Sequence, residues 1–143
     1  MQMQELEPLV GEWATEVRMP PGGGSGDRVR GRTTFEWLEG GGYLIQRAVM
    51  DDPAFPRGVM VIGPAVGRGR IVQHYFDSRG VARVYDISLE DGVLSLSRDD
   101  EDFAQRYTGQ ISADGATIEG AWEICEHGAT WRHDFDLTYR RIA

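Results

Sequence analysis

The chain has no lysine, no asparagine, a single cysteine and no apolar run near the roughly 20 residues that a membrane span needs. Each shortage excludes something. One cysteine, Cys125, cannot form an intrachain disulfide, so a cytoplasmic location is the default expectation. The first residues, Met1 to Pro8, lack the basic and apolar regions of a signal peptide. All 15 basic residues are therefore Arg, set against 23 Asp and Glu. The resulting net charge of −8, with pI near 4.8, argues against a nucleic-acid partner. Missing Lys and Asn together read as codon bias in a GC-rich genome. Paired inward carboxylates, a Ser/His/Asp order and Cys/His metal spacing are also missing.

What remains is ordinary globular material. At 143 residues and 41% hydrophobic, the chain is long enough to bury one core, and residues 1–143 read as one domain. Residues 2–10 allow a short N-terminal helix. Nearly everything after it alternates between apolar and polar with Gly-rich breaks, the pattern of antiparallel strands. The Pro/Gly-rich stretches 20–27, 51–57 and 63–70 read as loops.

The turns fix register, because a one-residue slip would send every side chain to the other face. Asp77-Ser78-Arg79-Gly80 fits a type I turn ending in a left-handed Gly80. It pairs Tyr75 with Arg83 and Gln73 with Tyr85. Asp91-Gly92 pairs Leu89 with Leu94 and Ile87 with Leu96. With Asp114-Gly115 at a tip, Ile111 faces Ile118, Gly109 faces Gly120, and Tyr107 faces Trp122. With His127-Gly128 at the next tip, Ile124 faces Trp131, Trp122 faces His133, and Gly120 faces Phe135. The inner face then carries Tyr107, Trp122, Trp131, His133 and Phe135. Arg106, Glu123 and Arg132 form a charge ladder outside. The pattern leaves the facing of residues 43–50 unset. About ten strands joined in sequence order make an all-β, antiparallel up-and-down barrel, whose closure removes exposed edges.

Gly11-Glu12-Trp13 resembles the Gly-x-Trp signature of the lipocalin-like calycin barrels, and the chain is similar to bacterial lipocalin-like domains and more loosely to nitrobindins. The resemblance implies that Trp13 plugs the closed end, with Arg140 or Arg141 packed across it. Barrel size, independently, leaves room for a ligand: eight strands can just hold one small molecule, and about ten leave more space. Nitrobindins hold haem through a His near the C-terminus, and His133 occupies a comparable place. They continue Gly-x-Trp-x-Gly-x-Gly, whereas this chain reads Gly-Glu-Trp-Ala-Thr-Glu-Val.

The candidate site residues are His133, Arg83, Tyr75, Tyr85, Gln73, Tyr107, Trp122, Trp131 and Phe135. Among aromatics, a neutral His133 serves as a core histidine, as a haem ligand, or as an acid–base group beside interior tyrosines in an isomerase- or cyclase-type enzyme. Arg83 on an apolar face either pairs with Asp77 or water at the mouth, or receives the acidic head group of a small ligand. Gly109 opposite Gly120 either opens ligand space or bends the sheet under Phe135. The expectation is a barrel binding a small apolar or amphipathic molecule, such as a carboxylic acid, without a cofactor.

Overall fold

A computed structural model describes residues 1–20, 28–65 and 69–143. The loop expected at 20–27, from residue 21 on, and the middle of the loop expected at 63–70 lie outside the described residues. The strands are β1 (Gly11–Arg18), β2 (Arg28–Trp37), β3 (Leu44–Met50), β4 (Gly58–Pro64) and β5 (Ile71–Asp77), then β6 (Ala82–Glu90), β7 (Val93–Arg98), β8 (Phe103–Ile111), β9 (Thr117–Glu126) and β10 (Arg132–Arg141). Each pairs antiparallel with its neighbours in sequence, and β1 pairs with β10 to close the barrel. No described helix is long and apolar enough to cross a membrane.

A 3₁₀ helix, Met3–Leu9, covers one end. Its buried residues are Met3, Leu6 and Leu9. That spacing of three lines them up on one side of a helix with three residues per turn. Trp13 follows at 0% exposure, its indole N–H donating to the Leu9 carbonyl at 2.8 Å. Arg141 lies across the indole at 4.2 Å and donates to the carbonyls of Val10 (2.7 Å) and Pro8 (2.6 Å). The Trp-under-Arg arrangement is thus present, and Arg141 rather than Arg140 supplies it.

The registers of β5 with β6, β6 with β7 and β8 with β9 are those the turns predict. Asp91 (φ 52°) and Gly92 (φ 76°) make the mirror-image turn that Asp-Gly favours. At Asp114-Gly115 only Gly115 is left-handed, and its N–H bonds to Ser112 in a four-residue loop. The register survives because this loop is symmetric about the same tip. β3 turns Leu44, Gln46, Ala48 and Met50 inward, which settles the facing that the pattern left unset.

β10 departs from expectation. Its turn does form, with His127 at φ 53°, Gly128 at φ 72° and Ala129 N–H on the Glu126 carbonyl at 3.0 Å. Pairing resumes only at Arg132 opposite Ile124, and a bulge between His133 and Phe135 adds a second unpaired residue. Phe135 therefore sits opposite Trp122, Leu137 opposite Gly120 and Tyr139 opposite Ile118. Bulges of this kind collect at barrel rims, where they re-aim side chains. The two-residue advance draws Tyr139 into the core, edge-on to Trp13 at 6.3 Å.

Candidate functional site

The closed sheet leaves a cavity of about 320 Å³ above the helix plug. Leu9, Phe35, Ile87, Leu94, Leu96 and Leu137 give it an apolar floor and walls. Higher up, Gln46, Gln73 and Gln105 project into it from β3, β5 and β8 because each falls on the inward beat of its strand. Tyr75, Arg79, Arg83, Met60, Phe55 and Pro56 stand towards the mouth, at the end opposite the helix. The barrel is compatible with ligand binding.

The expected site residues divide into two groups. Arg83, Tyr75, Tyr85, Gln73, Trp122 and Phe135 all line the cavity. Tyr107, Trp131 and His133 do not. Tyr107 is buried in the core at 1% exposure, its hydroxyl donating to the Leu137 carbonyl at 3.0 Å. Its ring lies over Gly109 and Gly120, so Tyr107, not Phe135, fills the gap between the glycines. Trp131 lies outside the barrel under the Arg106 guanidinium, 4.1 Å from the ring centre. His133 faces solvent, 2.9 Å from an Asp136 carboxylate oxygen. A one-residue slip after the turn put it there, opposite outward Glu123, before the bulge restores inward parity at Phe135, and that corrects its expected inward facing. Arg132 pairs with Glu126 rather than Glu123, leaving Glu123 to Arg106 at 2.8 Å.

These positions decide how haem fits. His133 cannot reach a ligand in the cavity from the outer surface. Of the chain's three histidines, His74 stacks on exposed Phe76 and His127 sits on a turn, so none lines the cavity. A haem axially held by His133 inside the barrel does not fit this arrangement. His133→Ala is expected to change stability by less than about 0.5 kcal/mol, as for other exposed residues. Hemin titrations of variant and parent should superimpose. A Soret band at one equivalent that vanishes in the variant would contradict the placement.

Hydrogen bonding fixes the polar groups near the mouth. Tyr85 donates to Gln105 Oε1 at 2.7 Å. Tyr75 donates to Asp77 Oδ2 at 2.6 Å, and Arg79 donates to the same oxygen through Nη2 (2.6 Å) and Nε (3.1 Å). Asp77 therefore pairs with Arg79, not with Arg83 as one reading expected. The Arg79 guanidinium holds the Asp77 carboxyl well below the usual range. Burial, helped by the Asp77 hydrogen bond, pushes Tyr75 up to about 12. Burial likewise raises Tyr85, and burial pushes Tyr139 to about 12. All three phenols stay protonated at neutral pH. Gln46 and Gln105 join the expected Gln73 in the polar set; the alternation of β8 could reveal Gln105, whereas the pattern left the facing of β3 and so Gln46 unset.

No protein-family model matches the chain, and no curated protein matches it in sequence. Among solved structures, it is similar to Rv2717c from M. tuberculosis, at 15% identity and a TM-score of 0.70. The likeness covers 99% of this chain and 97% of that one. At that identity it shows the fold alone.

Proposed function

We propose that this protein binds a small, largely apolar molecule inside the barrel, in the manner of lipocalin-like calycins, without a cofactor. One observation carries the reading: a cavity of about 320 Å³ with apolar walls and a few buried amides. Ligand pockets run from about 300 to 1,000 Å³, so the ligand is small. Trp13 beneath Arg141 at the plugged end supports the calycin likeness. An acid–base enzyme is less well supported. The titratable groups lining the cavity, among the described residues, are Tyr75, Tyr85, Tyr139, Arg79 and Arg83. None of those types titrates near neutrality.

Mass spectrometry of the natively purified protein is expected to find a small organic molecule released on unfolding. Ala48 lines the cavity, so Ala48→Phe fills space the ligand would use. A fluorescent fatty-acid analogue should bind the parent in the micromolar range, about −8 kcal/mol, and the variant at least tenfold more weakly. Equal binding to both would place the probe elsewhere and sink the reading.

A further inference from the structure

Arg79, Arg83 and Arg98 stand around the open end of the barrel, and their partners sort them. Arg79 is matched by Asp77, whose carboxylate is fully covered at 0% exposure. Arg98 donates to the Phe103 carbonyl at 2.7 Å and faces Asp100 at 3.6 Å. Arg83 has no carboxylate partner among the described residues. Its guanidinium instead lies 5.2 Å from the Phe103 ring centre, half-buried at the cavity wall. One positive charge is left uncompensated there.

Hydrogen-bond direction adds the second constraint. The phenolic protons of Tyr75 and Tyr85 are committed to Asp77 and Gln105. Because Gln105 accepts through Oε1, its amide nitrogen is the end left to donate. The wall beside Arg83 thus offers donors: the guanidinium fork, the Gln105 amide and the nearby Gln73 amide. A planar, singly charged acceptor suits a guanidinium fork, which can bind both its oxygens at once. A phosphate monoester carries about −1.5 to −2 at neutral pH, more than the single charge that Arg83 brings to the cavity wall.

We propose that the ligand is a monocarboxylic acid, its carboxylate on Arg83 and the Gln105 amide and its apolar body in the cavity below. This rests on the ligand-binding reading above and goes further in naming the head group. No bond is made or broken.

Octanoic acid, its methyl ester and octyl phosphate share one chain and separate the possibilities. Calorimetric titration of the full-length protein is expected to rank the acid first. Arg83→Met should weaken the acid by about 10- to 100-fold, the worth of a charge-assisted hydrogen bond, and leave the ester unchanged. Arg83→Lys should recover part of the loss, which separates charge from a folding defect. Acid affinity should fall as pH drops through the free carboxyl range near 4–5, while ester affinity stays level. Equal binding of acid and ester, or equal loss of both in Arg83→Met, overturns the carboxylate assignment but keeps the cavity reading. Tighter binding of the phosphate overturns the single-charge argument. If no member of the series binds the parent protein, both readings fail.

Discussion

Trp13→Ala is expected to cost about 3–5 kcal/mol, the usual penalty for truncating a buried aromatic. That is a large share of the ~5–15 kcal/mol that holds a typical domain together. The indole is wholly enclosed and joins the helix to β10 through three contacts. Its N–H holds the Leu9 carbonyl at the end of the helix, its ring stands nearly perpendicular to that of Tyr139 on β10, and its face carries Arg141. Truncation removes the filling and also frees the Leu9 carbonyl. Arg141 loses its ring, worth about 0.5–1 kcal/mol at a partly exposed site. In urea, the midpoint should fall while the slope stays constant, since the same surface is exposed on unfolding. Trp13→Phe keeps most of the ring but not the donor, so its cost should be smaller, near 1–2 kcal/mol. A loss under 1 kcal/mol for the alanine variant would mean the helix does not depend on Trp13 to seal the barrel.

Most of this architecture was legible because two signals agreed. Alternation assigned faces, and Gly-containing turns fixed where each strand met the next. Even where the turn geometry differed, at Asp114-Gly115, symmetry about the tip preserved the pairing of Ile111 with Ile118. The same logic failed on β10 for a physical reason. His127-Gly128 made the expected turn, but nothing local requires pairing to begin directly after it. The core decided instead. Advancing β10 by two residues puts Tyr139 opposite Ile118 and against Trp13. It also leaves Phe135 and Leu137 inward, because a shift of two preserves parity. His133, beside the bulge, lost its parity and moved outside. The site reading divided along the same line. Residues placed by the β5–β6 hairpin (Gln73, Tyr75, Arg83 and Tyr85) were brought together, whereas of Trp131, His133 and Phe135, which rested on the last turn, only Phe135 reached the cavity. Pairing among charges at the rim was not legible at all. Whether Asp77 takes Arg79 or Arg83 depends on loop conformation that alternation does not encode.

The opposed glycines give the other large effect. Gly120→Val is expected to cost about 3 kcal/mol or more, at the upper end of overpacking penalties. Neither Gly109 nor Gly120 has positive φ, so the requirement is for space rather than backbone freedom. A Cβ on Gly120 would stand 2.4 Å from the Thr108 carbonyl oxygen and 2.5 Å from the Tyr107 hydroxyl. The first contact is backbone on the neighbouring strand and cannot step aside. The second can move only by breaking the hydrogen bond from Tyr107 to the Leu137 carbonyl, 3.0 Å long, which ties β8 to β10. A double-mutant cycle separates the two contacts. Tyr107→Ala alone should cost about 3–5 kcal/mol through the lost ring. In that background Gly120→Val should cost less than in the parent by more than about 1 kcal/mol, because the new side chain enters the space the ring has left. Part of the cost should persist, from the Thr108 carbonyl. Thermal or denaturant unfolding of the four proteins gives the coupling directly. Strictly additive costs would show that the glycines do not make room for Tyr107, and their facing pair would need another explanation.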